Sequence, residues 1–171
     1  MTPDQLAKNG SEAAHQTALF AFCAVACQHG FAVAWDWAAG AGIEAAKSSR
    51  CNRAPVPELR WLHHIPNGGS RGDDAKSRAI RGAQMKAQGV RQGVADLCLP
   101  VRRGPWSGLY VEMKKPDEKP KREGSKGGVS DEQNEFGEFV KQQGFGWCVC
   151  YSWREAAEVI EQYLNYGANN A

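Results

Sequence analysis

At 171 residues, 42% of them hydrophobic, the chain is sized for one domain with its own core. A formal charge of +2 hides an uneven distribution: six cations lie between Arg71 and Arg91 and eight more between Arg102 and Lys126, whereas from Asp131 onward seven acids face only Lys141 and Arg154. A basic middle with an acidic tail suits a polyanionic partner; the apolar run Ala18–Ala26 is too short for a membrane span or a secretory signal, and six cysteines without a CxxC pair read as core thiols rather than a zinc site.

In chain order, residues 1–10 read as a loose leader. Ser11 then caps a helix running to about Gln28, with Gly30 closing it. Its apolar stripe through Leu19, Phe22, Cys23 and Ala26 extends back by turns to Gln16 and Glu12, so these two polar residues share the inward face at the helix start. A first-turn Glu also complements the helix dipole, and that simpler role is open to Glu12. The stretch 31–57 resists assignment and reads as an irregular insertion or a short helix with loops. Leu59–Ile65 is expected to be a strand, ended by Pro66 and the turn Asn67-Gly68-Gly69-Ser70, and Asp73–Gln88 a cationic helix stopped by Gly89.

A hairpin follows. Val94–Leu99 is a compact apolar run containing one acid, Asp96. Leu109–Lys114 alternates, with Leu109, Val111 and Met113 on one face and Tyr110, Glu112 and Lys114 on the other. If the hairpin is symmetric about Gly104, Asp96 lies opposite Glu112. Two facing carboxylates in a half-buried sheet repel, and a divalent cation is the economical remedy. Lys114 shares the face of Glu112. The hairpin tip, with Arg102, Arg103 and Trp106, lies about 20 Å from Asp96, which suits contact with flanking nucleic acid or a second subunit. Lys115–Gly128 reads as a polar, mobile loop, Ser130 to Gln143 as a helix, Phe145–Tyr151 as a strand carrying Cys148 and Cys150 on one face, and Trp153–Tyr163 as a last amphipathic helix. Ser130-x-x-Gln133 fits a capping box. Of the adjacent His63 and His64, at most one can point toward the acids. The order helix, strand, helix, strand, strand, helix, strand, helix gives an α/β fold around a mixed four-stranded sheet flanked by helices.

The ordered set Glu12 and Gln16, Ile65-Pro66-Asn67-Gly68-Gly69, Gly89-Val90, Gly93-Val94-Ala95-Asp96, Gly108–Lys114 and Ser130-Asp131-Glu132-Gln133 resembles the PD-(D/E)XK (restriction-endonuclease-like) core, and more narrowly a stand-alone VRR-NUC domain of the virus-type replication and repair nucleases. The resemblance runs from Ser11 to Leu164, within a single domain taken as 11–166 with a 167–171 tail; Ala95 stands where the motif often has proline. It implies a phosphodiester hydrolase using Mg²⁺ or Mn²⁺. Asp96, Glu112 and the Met113 carbonyl would ligate the metal, with Glu12 reaching it directly or through water, and Lys114 and Gln133 would complete the catalytic set. As general base Lys114 would need a lowered pKa, which its acidic neighbours oppose, so orientation and electrostatics are its expected role. Gln16, the Asn67-Gly68-Gly69 turn, Arg71, Arg78, Lys86 and Lys115 are the expected DNA contacts. The resemblance further implies a cytoplasmic homodimer, away from membranes, cutting branched DNA such as four-way junctions in replication or repair. A monomer directed to flaps or nicks, and a non-catalytic DNA-binding subunit of the same fold, are the alternatives.

Overall fold

The computed structural model describes residues 1–49, 54–66, 74–122 and 126–166. The framework is set by β3 (Leu109–Met113), whose alternating side chains serve two layers. Leu109, Val111 and Met113 are buried with α2 (Glu12–His29) and α7 (Trp153–Asn165), and Tyr110 and Glu112 turn to the face covered by α6 (Asp131–Gln142). The sheet order is β1 (His63–His64), β2 (Leu97–Leu99), β3 and β4 (Gly146–Cys150). The first two pairings are antiparallel and β3–β4 is parallel. This is the mixed four-stranded α/β sheet of a PD-(D/E)XK-like core.

In α2 the Ser11 hydroxyl accepts from the Ala14 amide at 3.2 Å. Ala18, Leu19, Phe22, Cys23 and Ala26, spaced for one helical face, bury against the sheet and α7. Each large apolar side chain so buried stabilises the fold by about 1.5–3 kcal/mol. Phe22 is the meeting point, with its ring centroid 4.4 Å from Trp35, 5.7 Å from Trp153 and 6.3 Å from Phe31. On the other face the Tyr110 ring meets Phe136 edge-on at 5.2 Å. Gly137 lets α6 approach this face: a Cβ there would sit 2.7 Å from the Trp147 indole.

Several expectations change. The expected strand over Leu59–Ile65 is a 3-10 helix, Pro57–Trp61, followed by the two-residue β1. Leu59 and Leu62 point inward three residues apart while Trp61 is exposed, a spacing for a 3-10 turn and not for a strand. Residues 1–10 are no loose leader. Thr2 and Gln5 form a capping box for α1 (Pro3–Leu6), and Asp4 accepts from the Trp153 indole at 3.0 Å and the Arg154 guanidinium at 2.6 Å. Within the 31–57 stretch, α3 (Phe31–Ala38) buries Phe31, Val33, Ala34, Trp37 and Ala38, and α4 (Ile43–Ser49) follows it. The loop after Lys114 opens with a 3-10 turn, Pro116–Glu118, and Lys119 reaches Glu155 at 2.6 Å, so its first part is tied down. The cationic helix is α5 (Ala75–Ala87), capped by Asp74. Among the described residues no helix is long and apolar enough to cross a membrane.

Candidate active site

The β2–β3 register pairs Leu97 with Val111, Cys98 with Tyr110 and Leu99 with Leu109. One step further brings Asp96 opposite Glu112, as a hairpin symmetric about Gly104 requires. Asp96 sits where β2 leaves the ladder. Its Oδ2 accepts the Met113 amide at 2.8 Å, and its main-chain carbonyl accepts from the Ile65 amide at 2.7 Å and meets His64 Nδ1 at 3.1 Å. In an extended strand a residue's N–H and C=O face the same side. The Met113 carbonyl therefore also faces β2.

Glu112 is 1% exposed. Its Oε1 accepts from Lys114 Nζ at 2.9 Å and from the Gln133 amide nitrogen in a short contact. Its Oε2 is buried with no hydrogen-bond partner. A buried carboxylate oxygen left this way costs on the order of 1–3 kcal/mol or more. Burial, and then the nearby Asp96 charge, push the Glu112 carboxyl up to about 7 against the pull of Lys114. Lys114 is also buried, which disfavours its charge, but Glu112, Glu12 and Asp96 together outweigh burial and raise its pKa. A raised pKa favours the charged form of Lys114. Glu12 is half-buried, and its carboxyl is raised first by burial and then by Asp96, so the start of α2 does reach this charge cluster. Among the described residues, though, no three His, Cys, Asp or Glu side chains stand close enough to hold one ion. Glu12 thus lies in the field of the pair. Gln16, one turn on, is half-buried.

Gln133 does two things at once. Its Oε1 accepts the Ser130 amide at 2.9 Å, completing the capping box with the Ser130 hydroxyl, which accepts the Gln133 amide at 3.2 Å. Its NH₂ end donates to Glu112. The donor on one side and the carboxylate on the other fix which end of the amide is oxygen.

Of the expected DNA contacts, Lys115 lines a cleft of about 410 Å³ with Asn9, Gly10 and Ser11 at the start of α2. Arg78 and Lys86 are exposed on α5. Asn67, Gly68, Gly69 and Arg71 lie outside the described residues. The hairpin tip is not the free patch expected of it. Arg103 donates to the Leu164 carbonyl at 3.0 Å and pairs with Glu58, and the Trp106 ring packs 4.8 Å from Tyr166 and 6.1 Å from Tyr163. The acidic last helix is also partly engaged, with Glu155 on Lys119 and Glu161 accepting from the Trp35 indole at 2.6 Å.

Tyr151 was not anticipated. Its hydroxyl is raised by burial and by Glu155 but lowered by Lys114, which places it beside the cluster. Met113 pairs with Cys150, so Tyr151 follows β4 as Lys114 follows β3. Only the parallel register, invisible in a single strand's pattern, could have revealed it.

A family model for the VRR-NUC domain matches residues 50–153. That span holds the hairpin and Gln133 but leaves out α2, so the match is narrower than the Ser11–Leu164 resemblance. Among solved structures, a VRR-NUC domain protein aligns with 90% of this chain and 88% of its own, at 22% identity and a TM-score of 0.52. At that identity the likeness speaks for the fold. No curated protein matches the chain.

Proposed function

The chain belongs to the VRR-NUC family of nuclease domains, and from that premise we propose that it is a divalent-metal-dependent deoxyribonuclease whose site is Asp96, Glu112 and Lys114, supported by Gln133. The observation that carries this reading is the buried Glu112 carboxylate, across the strand pair from Asp96: one oxygen is held by Lys114 and Gln133, and the other is buried with no hydrogen-bond partner. That donor set fits a hard cation, with Asp96, Glu112 and the Met113 carbonyl as ligands and Glu12 acting through water. When bound, Mg²⁺ or Mn²⁺ supplies Lewis-acid polarisation of the phosphodiester and a more acidic water. Gln133 and Lys114 fix the Glu112 rotamer by both donating to one oxygen. The remaining Lys114 protons offset charge developing on the phosphate oxygens.

Asp96→Ala or Glu112→Ala should abolish Mg²⁺- or Mn²⁺-dependent cleavage of DNA while the protein stays folded by circular dichroism. Near wild-type cutting by either variant would remove the proposed site.

The finer reading is a homodimer acting on branched DNA. Each chain offers one such site, and symmetric cuts at a four-way junction need two, which a closed two-fold dimer supplies. Arg103 and Trp106 of the hairpin tip are engaged within the chain, and β4 stands at an edge of the described sheet, where a second chain could pair. A monomer in light scattering at micromolar concentration, unchanged by junction DNA, would redirect the substrate to flaps or nicks, where one incision suffices.

A further inference from the structure

Two thiols beside the acid cluster have no part in the chemistry above. On β4, Cys148 and Cys150 share one face, and their sulfurs stand 3.9 Å from each other. Cys148 is half-buried, with its Sγ also 3.7 Å from the Tyr110 carbonyl, whereas Cys150 is 1% exposed.

The pair is joined to the site through the main chain. The parallel register matches Cys148 with Val111, Val149 with Glu112 and Cys150 with Met113. The Cys150 carbonyl accepts from the Lys114 amide at 2.9 Å. The two thiols therefore bracket Glu112 from the neighbouring strand, and the second of them holds the backbone of Lys114. Within the described sheet β4 pairs with β3 alone, so it can bend without tearing a second ladder.

Bringing the sulfurs together needs such a bend. A disulfide sets them about 2 Å apart, with Cβ atoms roughly 3.5–4.5 Å apart and Cα atoms at most roughly 6.8 Å apart. Two residues of extended strand span about 6.6–6.8 Å, which is at that limit, and their Cβ atoms are about as far apart as their Cα atoms. Closure must shorten β4 between Cys148 and Cys150, and the Cys150 carbonyl moves with it. A bond under such strain is readily reduced, which suits a reversible mark and not a structural crosslink.

We propose that Cys148 and Cys150 form a reversible disulfide that disarms the site by pulling β4 away from Glu112 and Lys114. The oxidant is a small disulfide of the glutathione class, which reaches the half-buried Cys148 first. The Cys148 sulfur attacks one sulfur of the oxidant, forming a mixed disulfide and releasing one glutathione, which takes the Cys148 proton. The Cys150 sulfur then attacks Cys148 Sγ, closing the internal bond and releasing the second glutathione with the Cys150 proton. Two protein thiols are oxidised and one small disulfide is reduced to two thiols. The consequence for cleavage rests on the nuclease reading, but bond formation does not.

The test incubates the full-length protein with glutathione disulfide and weighs the tryptic peptide Gln142–Arg154, which holds these two cysteines and no other. That peptide should become lighter by two hydrogens and revert with dithiothreitol. Amide exchange at Lys114 should quicken in the oxidised protein with no DNA present. Cleavage of DNA in Mg²⁺ or Mn²⁺ should fall about tenfold or more on oxidation and recover on reduction. Cys148→Ser should keep its cleavage through the same treatment, which separates this pair from oxidation at any other cysteine. A peptide that stays reduced, or that carries glutathione on Cys148 without closing, overturns the pair. Undiminished cleavage by protein whose peptide is fully closed overturns the coupling to the site. Failure of the nuclease reading shows apart from both, as a reduced wild type that does not cut DNA while its peptide still closes and Lys114 exchange still quickens.

Discussion

At the residue scale, Gln133 separates two kinds of work that one amide does together. Its oxygen caps α6 and its nitrogen holds Glu112. Gln133→Ala removes both, which should lower stability by about 1 kcal/mol through the cap and reduce turnover by much more. Gln133→Glu divides them. Glutamate also completes a capping box, so α6 should hold, but a carboxylate replaces the donor beside Glu112. Melting close to wild type with cleavage cut at least tenfold would assign the nitrogen to the site; equal turnover in Gln133→Glu and wild type would reduce Gln133 to a cap. The capping box was readable from Ser130 and Gln133 alone. The second bond was not, because it joins residues 21 apart in the chain, across a helix–sheet contact that no local pattern encodes.

At the element scale, two glycines that look alike in sequence should respond in opposite directions. Gly93 has φ +84°, and a Cβ on it would sit 2.7 Å from the Glu132 backbone, where the approach to β2 passes the first turn of α6. Gly93→Ala should cost about 1–3 kcal/mol and, by shifting the chain leading into Asp96, reduce cleavage with it. Gly82 has open space around it, and Gly82→Ala should stabilise α5 by about 1 kcal/mol. Thermal melts of the pair check both signs. The elements legible in the sequence were those with strong local marks: Ser11 and Gly30 around α2, Ser130 ahead of α6, and the alternation of Leu109–Met113. Those that escaped had weaker or longer-range causes. Leu59 and Leu62, spaced three apart within the expected strand over Leu59–Ile65, belong to a 3-10 turn that a short apolar run does not distinguish from a strand. The helix Phe31–Ala38 is apolar nearly all round, so it carries no helical stripe, and α1 depends on Asp4 meeting Trp153 and Arg154 at the far end of the chain.

At the scale of the whole molecule, two buried groups set opposite slopes of stability against pH. Glu112 has its folded pKa raised from 4.5 to about 7, chiefly by burial. The folded state then binds a proton that the unfolded state has released, so stability of the metal-free protein falls as pH rises from about 4.5 and levels off above 7. The loss is about 3 kcal/mol at most. His15 is buried between α2 and α7, its Nδ1 accepting the Trp153 amide at 3.3 Å. Burial lowers its pKa below 6.5, with Asp4 opposing, so its contribution is present above 6.5 and is lost as pH falls below that value. In EDTA the melting temperature should therefore peak inside the overlap of the two slopes and decline on both sides. Glu112→Gln should flatten the alkaline decline, and His15→Asn, which keeps an acceptor for the Trp153 amide, should flatten the acid one. Saturating Mg²⁺ should act like Glu112→Gln on the wild type, because a cation at the unpartnered Oε2 holds the carboxylate ionised in the folded state. Calorimetry across this range with and without Mg²⁺ reads all three effects without a nuclease assay. An alkaline decline that persists unchanged in Glu112→Gln and in Mg²⁺ would mean that the cation is not held at Glu112, whatever the protein does to DNA.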